Sequence, residues 1–310
     1  MGRLADLAEL VRAPAALSVP GDLVSGASAA GVLGPATGGL TGASVCLYWA
    51  GMAANDWADR DLDAVERPER PIPSGRVRPA AALGIAAGLT AAGVALAAAS
   101  GGRRSLAVAV PLAAMIWAYD LRAKNTAAGP AVMAACRTLD VLLGATASGP
   151  APRPLSRALP VGATASGPQS RPLGRSLARA LPVAAAIGAH TYTVTALSRR
   201  EVSGARPALP AATLAATGAL AAAIVAGPVP HPAVVGALAG QYLTGYGVAQ
   251  GRAVASPGAG TVRAAVGAGI TSLPALQGAL TARAGSTLAG LVVAAAAPLA
   301  RMLARKVSPT

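Results

Sequence analysis

The chain contains no phenylalanine, two lysines (Lys124 and Lys306), two histidines and two cysteines, and aromatic residues make up 3% of its 310 positions. The absent Phe and scarce Lys read as a codon bias toward Ala, Gly, Arg and Pro, and no mechanism follows from them. Charge is the more informative shortage. Charged residues are 12% of the chain and hydrophobic ones 54%, against about 25% charged in an ordinary soluble domain. That deficit excludes a water-facing surface, including the polar outer face that a soluble Ala-rich helical repeat array needs. Cys46 and Cys136 both fall in apolar runs, which argues for buried thiols and against a disulfide or a metal pair. A cleavable leader is not expected, because Arg3, Asp6, Glu9 and Arg12 interrupt the first apolar residues. Leu4, Leu7 and Val11 instead predict a short amphipathic helix lying at a membrane interface.

What is present is a series of long uncharged runs. Residues 23–55, 79–102, 105–119, 180–198, 207–251, 264–282 and 284–300 contain no Asp, Glu, Lys or Arg. A bilayer-crossing helix needs about 20 mostly apolar residues, so the longest runs are pairs of spans divided by turn signals such as Gly34-Pro35 and Gly227-Pro228. The expected fold is an all-α integral membrane bundle of about nine transmembrane helices, ten at most, forming one domain over residues 1–310. The spans fall near 14–35, 38–55, 80–100, 104–120, 128–148, 181–198, 208–227, 233–251, 262–282 and 286–304.

The net charge of +14 suggests nucleic acid in a soluble protein, but in a membrane bundle the positive-inside rule accounts for it, and no nucleic-acid partner is expected. Arg67, Arg70, Arg76 and Arg78 follow the second span, Arg122 and Lys124 the fourth, and Arg199, Arg200 and Arg206 the sixth. Ends of even-numbered spans share one side, so these clusters are expected on the cytoplasmic face of the cell membrane. Residues 149–180 depart from the rule by carrying Arg153, Arg157, Arg171, Arg175 and Arg179 on the opposite side. They also include a duplication, with Gly144–Pro150 repeated at Gly162–Pro168 and Arg157–Pro160 at Arg179–Pro182. A tandem repeat that lengthened a polar loop explains both features.

The twelve acids are distributed more unevenly than the bases. Six lie between Asp56 and Glu69, and only Glu201 follows Asp140. On a helix at about 100° per residue, Asp56, Asp59 and Asp63 fall within about 60° of one another, with Asn55 extending the stripe and Asp61 on the opposite side. Carboxylates so placed repel unless a cation lies between them. Either Mg²⁺, which takes hard oxygen ligands and bridges to phosphate, or neighbouring arginines at a solvated helix end can supply the charge.

The run Asn55-Asp56-Trp57-Ala58-Asp59-Arg60-Asp61-Leu62-Asp63, followed by Arg67-Pro68-Glu69-Arg70-Pro71-Ile72-Pro73-Ser74-Gly75, resembles the first signature of the UbiA superfamily of intramembrane prenyltransferases. The resemblance implies a polyprenyl diphosphate donor bound through Mg²⁺, whose ionisation yields an allylic cation captured by an acceptor. It assigns Asp56, Asp59 and Asp63 to the metal shell, Asn55 beside them, and Arg67 and Arg70 to phosphate. Tyr119-Asp120-Leu121-Arg122-Ala123-Lys124 is similar to the family's diphosphate-contacting segment, which makes Lys124 and then Arg122 phosphate ligands. The second signature, two acids four residues apart with a glycine following, is half replaced: Leu197 takes the first acidic position and Glu201 the second, ahead of Gly204. The segment His190–Gly204 looks like a divergent UbiA-like branch encoded in Ebo-type operons. The resemblance therefore implies either retained transfer, with Glu201 on a second metal and Arg199 or Arg200 replacing the lost charge, or a non-catalytic protein that binds or carries a prenyl lipid.

Ionisable residues inside the membrane are functional candidates in their own right. Arg137 and Asp140, three apart, are placed to pair on one helix face. His190, with Thr191 and Tyr192, is placed to line an acceptor pocket or to make an interhelical hydrogen bond. Two rival classes lack support: the D-G-x-x-A-R opening of CDP-alcohol phosphotransferases does not occur, and the acids gather at one bundle end rather than at the midplane as in transporters.

Overall fold

The computed structural model describes residues 3–147 and 172–296, and every described element is helical. They run α1 (Arg3–Leu10), a 3₁₀ turn (Ala13–Ser18), α2 (Pro20–Ala30), α3 (Pro35–Ala58), α4 (Arg60–Glu66), α5 (Pro79–Ala118), a π turn (Tyr119–Ala123), α6 (Gly129–Gly144), α7 (Leu173–Ser198), α8 (Ala208–Val225), α9 (Pro232–Tyr242), a second π turn (Leu243–Gly247), α10 (Val248–Ala255), α11 (Ala259–Arg283) and α12 (Thr287–Ala296). Proline occupies the first turn of α2, α3, α5, α6 and α9, where its missing N–H costs nothing and its fixed φ favours helix.

A helix stands at each position where a span was expected, with three adjustments. The region 14–35 is divided between the 3₁₀ turn and the eleven-residue α2, which stops at Gly31 with φ +67°, a conformation open to glycine. α5 is two helices joined at Gly102, whose φ of 63° and ψ of −149° belong to backbone space essentially reserved for glycine. Its halves fold against each other, with Trp117 Nε1 donating to Thr90 Oγ1 at 3.1 Å. The third adjustment is that α7 begins at Leu173, so residues 173–180 extend a helix instead of belonging to the polar loop. Ser176, Ala180, Ala184 and Ile187 continue its buried face while Arg175 and Arg179 stay exposed. Of the duplicated residues before 172, those at 148–150, 157–160 and 162–168 lie outside the described residues.

Among the described residues, three helical stretches are long and apolar enough to cross a membrane: Pro79–Ala123, which holds the two helices joined at Gly102, Leu173–Ser198 and Ala208–Val225. Large apolar side chains also face outward along several helices, among them Val110, Leu181, Ile270, Leu288 and Val292, as lipid-facing surfaces require.

Small residues set the helix spacing. A Cβ added at Gly144 would stand 2.7 Å from Leu23 Cα, and one at Gly26 2.8 Å from the Val141 carbonyl carbon, so α2 and α6 touch backbone to backbone, the packing membrane interiors favour. The interior divides into three apolar clusters. One joins α7 to α11 around Tyr242, Tyr246 and Leu276, and another joins α2, α3, α5 and α6 around Leu23, Leu40 and Leu143. The smallest gathers Leu10, Ala53, Ala54, Ile72, Val77, Ala82 and Ala86 at one end. It fixes the loop after α4, because burial of Ile72 and Val77 holds Arg70 against the end of α3 and Arg76 against α1.

Candidate diphosphate site at the acidic bundle end

At that end the acidic stripe meets four basic groups from three segments. α3 ends at Ala58 with Asp59 as its cap, and α4 carries Asp61 and Asp63. Asp56 and Asp63 are 4% and 2% exposed, whereas the Asp61 side chain is 87% exposed, so the acids divide between interior and solvent as the helical spacing predicts.

Buried carboxylates need compensating charge. Arg70, delivered by the folded loop, places Nη1 2.7 Å from Asp63 Oδ2 and 3.2 Å from Asp56 Oδ1, bridging the two. Arg12 donates to the same Asp56 oxygen at 2.9 Å, and Arg67 Nη1 lies 3.8 Å from Asp63 Oδ1. Lys124, just past the π turn, sets Nζ 2.7 Å from Asp59 Oδ1. Asn55 donates to Asp120 Oδ1 at 3.2 Å, joining α3 to the turn that carries Tyr119 and Arg122. Tyr119 is half-buried and Arg122 exposed.

The N-terminal segment reaches this site by a second set of ion pairs. Arg76 donates to Asp6 at 2.6 Å and to both Glu9 oxygens at 2.7 and 3.1 Å, and also to the Glu69 carbonyl. These acceptors raise its pKa further, the Glu9 bond contributing most. Arg12 itself has φ +47°, uncommon for a non-glycine residue, and from there its guanidinium reaches Asp56. Sequence reasoning did not bring Arg12 to the site. Its one signal was a basic residue ending an amphipathic segment, and nothing local names a partner 44 positions away.

The sixth-span end joins differently from what the resemblance implied. Arg199 hydrogen-bonds the Thr126 carbonyl, bringing the end of α7 to the Lys124 loop. Arg200 is exposed. The Glu201 carbonyl accepts from Arg263 at 3.4 Å, and burial raises the Glu201 pKa while Arg263 lowers it. Leu197 is fully buried in an apolar cluster. His190 is also buried, its Nδ1 3.0 Å from Tyr242 Oη and its ring edge-on to Tyr242 and Tyr246.

Among the described residues, no three His, Cys, Asp or Glu side chains are grouped as a ready metal cage. Asp56, Asp59 and Asp63 are held by cations, and Glu201 has no bond to them. The donor chemistry nonetheless suits Mg²⁺, which takes carboxylate oxygens and shares its shell with phosphate. The ion would take over compensation now provided by Arg12, Arg70 and Lys124.

Comparison with known proteins follows the same lines. The family model described as "UbiA prenyltransferase family" matches residues 23–255. A digeranylgeranylglyceryl phosphate synthase of Methanopyrus kandleri is 41% identical over 110 residues, 35% of this chain and 38% of that protein. The 33 kDa chain of bacteriochlorophyll synthase from Rhodobacter capsulatus is 55% identical over 38 residues, 12% of each chain. The matched stretch thus spans less than two fifths of the curated relatives' length. The apo structure of a UbiA homolog from Aeropyrum pernix K1 superposes with a TM-score of 0.63 at 19% identity, over 90% of this chain and 97% of that one. A structure described as giving insights into digeranylgeranylglyceryl phosphate synthase in membranes gives 0.59 at 16% identity, over 92% and 99%.

Proposed function

Because the chain belongs to the UbiA prenyltransferase family, we propose that it is an intramembrane enzyme that moves a polyprenyl group from its diphosphate to an acceptor, with Mg²⁺ as cofactor. The observation that carries this reading is the convergence of Arg12, Arg70 and Lys124 on Asp56, Asp59 and Asp63. An acidic stripe already interleaved with guanidinium and ammonium groups suits a ligand that is itself a metal–anion pair.

In this reading Asp56, Asp59 and Asp63 hold the metal, with Asn55 beside them. When bound, Mg²⁺ neutralises charge on the departing diphosphate. Arg70 and Lys124 then turn from carboxylate to phosphate oxygens, where charge-assisted hydrogen bonds stabilise the leaving group in a site of low dielectric. Arg67 and Arg122 supply further positive charge at the mouth, and Tyr119 borders it. Arg199 holds the Lys124 loop in place, and Arg200 adds charge nearby. We assign the expanded set of about nine spans to a multi-pass topology in the cell membrane, with the basic loops facing the cytoplasm. Aromatic acceptors suit the reading, and His190 remains a candidate to line their pocket.

A second reading, prenyl-lipid binding without transfer, is favoured by Leu197. An apolar core side chain stands where the family places an acid, and Glu201 alone does not make a second metal site. That half-replaced signature also fits a divergent branch of the family. The two readings separate in one experiment: purified protein in lipid nanodiscs is given labelled prenyl diphosphates, Mg²⁺ and a panel of acceptors, and pyrophosphate is measured. Release that stops with EDTA and in Asp56→Ala supports transfer, whereas tight binding with no release under any acceptor supports carriage.

A further inference from the structure

A second charged cluster lies wholly inside the bundle. Asp22 on α2 is fully buried, and its Oδ2 stands 2.9 Å from Arg137 Nη1 on α6. Asp140, one turn further along α6 and 5% exposed, accepts from Ser44 of α3 at 2.5 Å. Gln277 on α11 donates to Asp22 Oδ1 at 2.7 Å. The expected pairing of Arg137 with Asp140 is thus replaced by one across α2, because both groups point into the same interface and Asp22 is the nearer anion.

Two acids stand beside one cation here, in a largely buried interface. Were both ionised, the cluster would hold an uncompensated buried charge, which is severely costly. A proton held by the cluster avoids that cost: among the described residues Arg137 pairs with Asp22, while Asp140, three residues from Arg137 on α6 and almost fully buried, forms no ion pair and accepts from Ser44, the setting in which a carboxyl group stays neutral. Asp22 Oδ2 receives no aligned hydrogen bond from any protein N–H or O–H, so a proton on Asp140 is the donor that remains. Asp140 is the member to keep it, since Asp22 has Arg137 and Gln277 while Asp140 has only Ser44.

The cluster is tied to the diphosphate end. Gln277 Nε2 also donates to the Ser18 carbonyl at 2.9 Å, and Arg137 Nη2 reaches that oxygen at 3.4 Å. Ser18 ends the 3₁₀ turn that starts directly after Arg12. We propose that Asp22 and Asp140 hold one proton between them, and that this neutral cluster, through Arg137 and Gln277 on the Ser18 carbonyl, positions the turn that delivers Arg12 to Asp56. These are positioning residues: loss of the proton sets a negative charge beside Arg137, draws it and Gln277 onto the acids, and releases Ser18. The titratable and charged groups around the pair are Arg137 and, beside Asp140, Cys136 of α6; Tyr48 of α3 and His190 of α7 face Arg137, and Arg12 reaches Tyr48 from the turn.

The test needs no substrate, so its outcome is separate from that of the proposed function. Infrared spectra of the full-length protein in nanodiscs, in H₂O and D₂O, should show an exchange-sensitive protonated carboxyl band. Asp140→Asn, which keeps a donor to Asp22 and removes the titration, should abolish it. Trypsin cleavage after Arg12, followed by mass spectrometry across a pH series, reads the turn. In wild type the cleavage, expressed relative to Asp140→Asn at the same pH, should rise by up to about tenfold per pH unit as the pair titrates. Asp140→Asn should stay protected at every pH. A spectrum without the band, a band unchanged in Asp140→Asn, or the same pH dependence of cleavage in both proteins overturns the proposal.

Discussion

Replacing Arg70 with methionine separates the metal's contribution from that of the guanidinium. Arg70 Nη1 is bonded to two carboxylates that are almost fully buried, at 2.7 and 3.2 Å, with its own side chain 19% exposed. Each charge-assisted bond contributes about 1.5–3 kcal/mol. Arg12 remains on Asp56 and Arg67 at 3.8 Å partly serves Asp63, so the net loss is roughly 2–3 kcal/mol rather than the 3–5 kcal/mol of a fully orphaned pair. At about 2–4 °C per kcal/mol for a protein of this order of size, the melting temperature without metal should fall by roughly 5–10 °C. Mg²⁺ should then restore more stability to Arg70→Met than to wild type, because the ion no longer competes with the guanidinium and ligand stabilisation grows with occupancy. Thermal scans in detergent, with EDTA or with Mg²⁺, measure both quantities. An unchanged melting temperature without metal would refute the bridging role. Equal Mg²⁺ stabilisation in the two proteins would refute competition for one site.

Other outcomes follow from single contacts. Lys124→Met removes the partner of Asp59 at 2.7 Å and, in the proposed reading, one charged bond to phosphate, so prenyl diphosphate affinity should fall about tenfold or more by titration calorimetry; a change within twofold removes Lys124 from the site. Gly102→Ala forces a side chain into φ 63°, ψ −149° and should cost about 1–3 kcal/mol in denaturant or thermal unfolding, and a neutral result would mean the hairpin turn can be redrawn. Gly144→Ala drives a methyl to 2.7 Å from Leu23 Cα, and it should destabilise by about 1–3 kcal/mol while Gly174→Ala, with open space around it, should not. Similar losses at the two glycines would refute close packing as the cause, since backbone entropy alone makes Gly→Ala in a helix stabilising.

The parts of the molecule that were legible in sequence are those fixed by local rules. Uncharged runs interrupted by Gly and Pro mark the helices, and the gap between runs at residues 103–104 foretold the turn at Gly102. The spacing of Asp56, Asp59 and Asp63 foretold which acids face inward, with Asp61 exposed as expected. What escaped is long-range pairing. Arg12 reaches Asp56 only because Leu10, Ile72 and Val77 share one apolar cluster, and Arg137 chooses Asp22 over its own helix neighbour because backbone contact between α2 and α6 puts Asp22 closer. The start of α7 was set too late because Arg175 and Arg179 read as loop charges, although their neighbours Ser176 and Ala180 keep the helix's buried spacing.

Mn²⁺ can stand in for Mg²⁺ at oxygen sites and is visible by electron paramagnetic resonance. Titrating full-length protein with Mn²⁺ in the presence of geranylgeranyl thiolodiphosphate, which cannot readily ionise, reads metal capture at the acidic end directly. Ion bound by wild type only when the diphosphate is present, and lost in Asp56→Asn and in Asp63→Asn, is the predicted result. Mn²⁺ bound equally by wild type and both variants would contradict it.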